Sequence, residues 1–394
     1  MRRFLAVATL VAVSLLSCSN PYRGVPADIA RMARRSVSRQ EPQRAVELHQ
    51  MTESIDPNHR EGMAYLLAYM SDDDLASMDC SLIKENIEYA YKARDRYAWC
   101  RNLPDGIFFN EVLPYCVADE KRMSWRPQLF ELTSDITDPS SNLRTAADSL
   151  CSRLKNLTGV RYTNTLPKEN LSPTETMKLG SGGSTALAIL MVSAFRSAGI
   201  PSRLAGTPMW SEHDGHYSWA EVWFDGEWHF VDYFADRIDD TWFLERAGQT
   251  EKSDPSHWIY AASYAPGKRH FPLAWNEGYD GIHAIDATDR YIKEYKRAGL
   301  SKSDGIDVNI RMYGHNSYPP EADDRVAVNV RLMLGDSCVA KGVTASAERD
   351  VNDRLTLNAP TEGYYTLEWM HDTTVVRRII RVEEEPIDVT LFLE

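Results

Sequence analysis

The chain has 394 residues, 43 % of them hydrophobic and 26 % charged, with 44 basic against 57 acidic side chains for a net charge of −13. This length calls for two or three domains, and the apolar share excludes wholesale disorder, a collagen-like chain and a polytopic membrane protein. The acidic balance argues against a protein that neutralises phosphates, so nucleic acid is not an expected partner.

The chain opens on Met1-Arg2-Arg3 and a largely apolar run from Phe4 to Leu16. That run is shorter than the about 20 residues of a spanning helix and suits the apolar segment of a signal peptide. Leu15-Leu16-Ser17-Cys18 resembles a bacterial lipobox, which predicts cleavage before Cys18 and a lipid on its thiol. The mature protein would then be anchored to a membrane without spanning it. Ser19-Asn20-Pro21-Tyr22-Arg23 carries no acidic cluster, which favours a periplasm-facing position over surface export; the expected location is the cell envelope, at the outer membrane or a periplasmic face. Five further cysteines (80, 100, 116, 151 and 338) are widely spaced and form no CxxC pair. A zinc site or a disulfide framework is therefore not expected; at most two pairs could form, with buried free thiols as the alternative.

Residues 19–165 read as a mostly helical region. Apolar residues recur at spacings of three and four over Asp28–Arg39, Arg44–Ile55, Arg60–Tyr69, Ile83–Ala98 and Leu143–Leu157. Asp73-Asp74 and Asp135 to Asn142 read as cap and loop segments, and the acidic run Asp72-Asp73-Asp74 as solvated surface. Residues 166–302 form a second unit, dense in aromatics. Residues 303–394 read as strand after strand, which predicts a β-sandwich of immunoglobulin-like type. The whole is an α+β chain.

Within the second unit, Gly180-Ser181-Gly182-Gly183 precedes Ser184-Thr185 and a run from Ala186 to Ala198 that is apolar on nearly every side. This predicts a buried helix, capped by Ser184 or Thr185 and ended by Gly199 and Pro201. Ser184 then stands where helix N–H groups favour negative charge, the place where a thiol nucleophile gains a lowered pKa. Tyr217 to Phe224 reads as a strand, Asp225-Gly226 as a two-residue turn and Trp228 to Asp232 as the returning strand.

These elements resemble the transglutaminase-like superfamily, whose members have a papain-like fold. The resemblance rests on Arg196-Ser197-Ala198-Gly199-Ile200-Pro201-Ser202-Arg203, Ser218-Trp219-Ala220-Glu221-Val222-Trp223 and Trp228-His229-Phe230-Val231-Asp232. It extends more loosely over residues 100 to 295, through Phe108–Tyr115, Trp125-Arg126 and Phe271–Trp275. It implies that the family's Cys, His and Asp fall at Ser184, Tyr217 and Asp232. Only the aspartate is kept. A serine hydroxyl needs an adjacent base, and tyrosine is a poor one.

His216 is the possible substitute base, although strand alternation turns it away from the face of Tyr217. His213 is a second candidate, and His229 fails by register against Asp232. Cys116 reads as a small buried thiol. The leading reading is a catalytically inactive binding module that holds a peptide, protein or glycan in a cleft lined by Trp219, Trp210 and Glu221, with no metal and no cofactor. The alternatives are a Ser-dependent amide hydrolase or acyltransferase using Ser184, a nearby histidine and Asp232, or an envelope scaffold protein.

Overall fold

The computed structural model describes residues 20–211, 215–301 and 304–393. Cys18 and His213 lie outside the described residues. Helices α1 (Ala27–Ser38), α2 (Pro42–Ser54), α3 (Arg60–Tyr69), α4 (Asp72–Ser77) and α5 (Cys80–Arg96) build the N-terminal region. Ser71 caps α4 by accepting from the Asp74 N–H, and Asp79 caps α5 by accepting from the Ser81 N–H.

Helix α6 (Arg126–Thr137) runs through Asp135, so the loop expected from Asp135 begins three residues later; Ile136 and Thr137 are buried and hold the last turn in place. Leu129 belongs to the core of the second unit and Phe130 to the core of the helical region, which makes α6 the seam between them. Helix α7 (Leu143–Thr158) starts on Asn142 and ends on the left-handed Gly159. Its Leu150 and Leu154 pack into the second unit's core, which therefore extends back across the boundary expected near residue 166.

The acidic run is not wholly solvated. Asp74 is 8 % exposed; it accepts the Tyr115 hydroxyl at 2.6 Å and the Arg122 guanidinium at 3.0 Å. Arg126 is buried, and carbonyls take the place of a counter-ion: it donates to Val112, Pro114 and Arg196, and to the Asn86 amide. These bonds tie the helical region to the core helix that follows.

Short strand β1 (Arg161–Tyr162) pairs in parallel with β2 (Ser181–Gly182), next to helix α8 (Pro173–Leu179). Helix α9 (Ser184–Ser197) follows, and all its residues are buried. Burying Leu187, Ile189, Leu190, Met191, Val192 and Phe195 contributes about 2 kcal/mol each in gross terms. Helix α9 lies on one face of an antiparallel six-stranded sheet of order β5-β4-β3-β6-β8-β7. The strands are β3 (Ser202–Thr207), β4 (Tyr217–Phe224), β5 (Glu227–Val231), β6 (Tyr260–Ser263), β7 (Arg269–His270) and β8 (His283–Asp286). Asp225 and Gly226 both have positive φ, as a type I′ hairpin requires. The opposite face carries an aromatic layer, covered by helices α10 (Leu244–Gly248) and α11 (Thr288–Arg297).

The C-terminal region holds two sheets around one core. Strands β9 (Ile306–Tyr313), β12 (Leu355–Ala359) and β15 (Ile387–Phe392) form one, in which β15 runs parallel to β9. Strands β10 (Asn329–Leu334), β11 (Ser337–Val343), β13 (Gly363–His371) and β14 (Thr374–Val382) form the other. Ile310, Leu332, Leu367, Trp369 and Leu391 meet between them. The connection from β11 to β12 leaves this core and packs on the second unit. Cys80, Cys100, Cys116, Cys151 and Cys338 are free thiols. Among the described residues no helix is long and apolar enough to cross a membrane.

The end of α9 is tight. Gly199 has φ +66°, and a Cβ there would lie 2.8 Å from the Cys100 Cβ. Gly199→Ala should therefore destabilise the fold by about 2 kcal/mol or more through backbone strain and overpacking. A lower urea midpoint at unchanged slope is the expected result.

Candidate functional site

Ser184 opens α9, and the residue before it, Gly183, occupies the cap position without a side-chain bond. The expected capping by Ser184 or Thr185 is therefore not what is found: Thr185 instead donates to the Ser218 hydroxyl at 3.2 Å. A Cβ on Gly183 would meet Leu166 at 3.0 Å, so the loop must stay small to bring the helix end this close. Ser184 is 8 % exposed, and among the described residues its hydroxyl has no hydrogen-bond partner.

Tyr217 begins β4, and Asp232 follows the last residue of β5, its neighbour in the sheet. The Tyr217 phenol donates to Asp232 Oδ1 at 2.9 Å and accepts from the Trp242 indole at 3.3 Å. Asp232 Oδ2 accepts from the Thr241 hydroxyl at 2.9 Å, and Oδ1 also accepts from the Phe234 N–H at 3.3 Å. Both Tyr217 and Asp232 are 1 % exposed. Burial pushes the Asp232 carboxyl up to about 6 against the opposing pull of these hydrogen bonds. Burial, reinforced by the Asp232 charge, raises the Tyr217 phenol further above its ordinary range, so it stays protonated.

The histidines are elsewhere. Strand pleating sends the His216 ring away from Asp232: its Nε2 lies 3.7 Å from Glu169, and its centroid 5.6 Å from that of Trp275. His229 pairs with Asp239 at 2.7 Å and stacks on Phe224. The Cys116 thiol is pushed up to about 12 by burial, which makes it a poor nucleophile.

Trp210, Trp219 and Glu221 do not line an open cleft; they are 1 %, 1 % and 0 % exposed. The two indoles stack at 6.3 Å with Phe243 against them. Glu221 Oε2 accepts from Arg203 at 2.7 Å, and its Oε1 accepts from the Tyr291 hydroxyl at 2.7 Å and from Arg290. A carboxylate buried this deeply persists because two guanidinium groups and a phenol satisfy it. Together these groups stiffen the sheet behind Tyr217.

The C-terminal unit closes the site from outside. Asn352 donates its amide to the His216 carbonyl at 3.1 Å and accepts from Arg246 at 3.0 Å through its own carbonyl. Arg349 donates to the Phe234 carbonyl at 3.0 Å, and the Val351 N–H to the Tyr162 hydroxyl at 3.0 Å. Asp350 is 2 % exposed and adds its charge to the neighbourhood of Tyr217. Sequence reasoning missed Glu169, Thr241, Trp242 and this 349–352 segment. The first three lie outside the matched motifs, and the last is more than a hundred residues away along the chain. Among the described residues no cluster of His, Cys, Asp and Glu could hold a metal ion.

The profile of the transglutaminase-like superfamily core matches residues 130–233, from inside α6 to the residue after Asp232. This segment is therefore a transglutaminase-like core. Among solved structures, a candidate cysteine protease from Cytophaga hutchinsonii is similar at 16 % identity and a TM-score of 0.26, over 42 % of this chain and 60 % of that one. No curated protein matches the chain.

The raised pKa of Asp232 makes stability depend on pH. Between about 4, the ordinary carboxylate value, and about 6 the folded state holds a proton that the unfolded state has lost. Stability from this group is highest below about 4 and falls as pH rises through about 6, by about 3 kcal/mol in all. Asp232→Asn should remove this dependence. Urea unfolding at pH 4.5 and 7 should show wild type losing more stability than the variant across that interval.

Proposed function

We propose that this chain is a lipid-anchored, transglutaminase-like protein of the bacterial cell envelope that performs no acyl transfer and serves to bind a peptide or glycan. The observation that carries the reading is the bond from the Tyr217 phenol to Asp232, at the positions where the resemblance puts the family's His and Asp. A protonated phenol cannot take the proton of a nucleophile at neutral pH, and a serine without a base is inert. The lipobox-like Leu15-Leu16-Ser17-Cys18 supports the anchor, and the seven C-terminal strands support an immunoglobulin-like module.

The pairing of His216 with Glu169 favours a second reading, a hydrolase that has re-routed its base. In it, Glu169 and not Asp232 would orient the imidazole for Ser184, because Asp232 is taken up by Tyr217 and Thr241.

A panel of peptide amides and glutamine donors separates the two. The wild type should show no amidase or transamidase turnover, whereas Ser184→Cys with Tyr217→His should gain measurable thiol reactivity. Wild-type turnover that Ser184→Ala abolishes would establish the second reading instead.

A further inference from the structure

Beside the closed site, a groove of about 230 Å³ runs between the transglutaminase-like unit and the C-terminal sheets. Its apolar lining consists of Trp242 and Pro386; the rest is polar. Such a surface offers no apolar pocket for an acyl chain or a bulky peptide side chain. It offers one aromatic face surrounded by hydrogen-bonding groups. Formal charges along the groove, from Glu245, Asp307 and Asp353 against Arg246 and Arg354, sum to −1, which disfavours phosphates and acidic polymers.

Several of these polar groups keep unused bonding capacity among the described residues. Asn309 accepts from the Thr356 hydroxyl at 2.9 Å through Oδ1, and its Nδ2 makes no bond. Gln249 donates through Nε2 to Glu245 at 3.4 Å, which leaves Oε1 unused. Asp307 accepts from Asn358 through Oδ1, and Asp353 from Arg349 through Oδ2, so each keeps a free carboxylate oxygen. These donors and acceptors come from both sides of the unit boundary, β9 on one and α10 with its flanks on the other. Trp242 is half-buried, and its indole N–H is committed to the Tyr217 phenol, which fixes the ring. An oriented aromatic face with planar amides and carboxylates around it is the chemistry that recognises a sugar ring through C–H contacts and hydroxyls.

We propose that this groove binds an uncharged saccharide, with one ring stacked on Trp242 and hydroxyls bonded to Gln249, Asp307, Asn309 and Asp353. The inference deepens the ligand-binding reading above and rests on it. It also moves the ligand away from the degenerate site, which Tyr217 and the 349–352 segment fill. The groove exists only while both units are docked, so binding should tighten their association.

Calorimetric titration of the full chain with cellotriose, maltotriose and tri-N-acetylchitotriose tests it, with trialanine as the peptide arm. At least one saccharide should bind, and Gln249→Ala and Asp307→Asn should each weaken it by about tenfold. Trp242→Ala should abolish binding; the two polar variants keep the test valid if its loss of packing unfolds the chain. Absence of heat with all three saccharides, or binding that neither polar variant alters, would overturn the proposal. Trialanine binding that the same variants weaken would overturn the saccharide class and leave the ligand-binding reading standing. Ser184-dependent turnover would instead fail that earlier reading without touching the groove.

Discussion

Asp232 is a carboxylate held at 1 % exposure at the end of β5, and the bonds it accepts determine what the surrounding residues can do. Three donors satisfy it: the Tyr217 phenol, the Thr241 hydroxyl and the Phe234 N–H. In the family that the middle unit resembles, a histidine at the position of Tyr217, oriented by such a carboxylate, would take the nucleophile's proton and deliver it to the leaving group. The phenol keeps the hydrogen bond and loses the proton traffic, because burial raises its pKa and holds it protonated. A phenol at this position packs into the sheet and, being protonated, supplies no base at neutral pH.

Burial follows from the same arrangement. A phenol has a larger apolar ring than an imidazole, and Tyr217 joins Trp210, Trp219, Trp242 and Phe243 in one aromatic layer. The layer needs a rigid back wall, which the clasp of Glu221 by Arg203, Arg290 and Tyr291 provides. On its outer side Arg349 and Asn352 fasten the C-terminal unit over the loop edges. These bonds join the two units over Tyr217, and the polar groove beside Trp242 is the space that the joint leaves open.

Much of this was legible in the sequence wherever the determining contacts were local. Helix α9 announces itself by an apolar run between Gly183 and Gly199, and the β4–β5 hairpin by alternation around Asp225-Gly226. Pleating alone separates Tyr217 from His216. Contacts distant along the chain left no such mark. Asp74 looks like surface charge because Arg122 and Tyr115, which bury it, lie 48 and 41 residues away. The tryptophans look like a cleft lining because composition cannot tell an aromatic wall from an aromatic core. Strand β11 carries no clear apolar alternation of its own, because Lys341 and Gly342 break it, and it is held by pairing with β10. Nothing near Asn352 hints that it reaches His216.

The most direct test of the central claim, that nothing in this site activates Ser184, is covalent labelling with a fluorophosphonate, which captures serines paired with a working base. Intact-mass and peptide-level analysis of the folded full chain should show no adduct at Ser184 at neutral pH. A Ser184 adduct that disappears on denaturation before labelling would contradict the account.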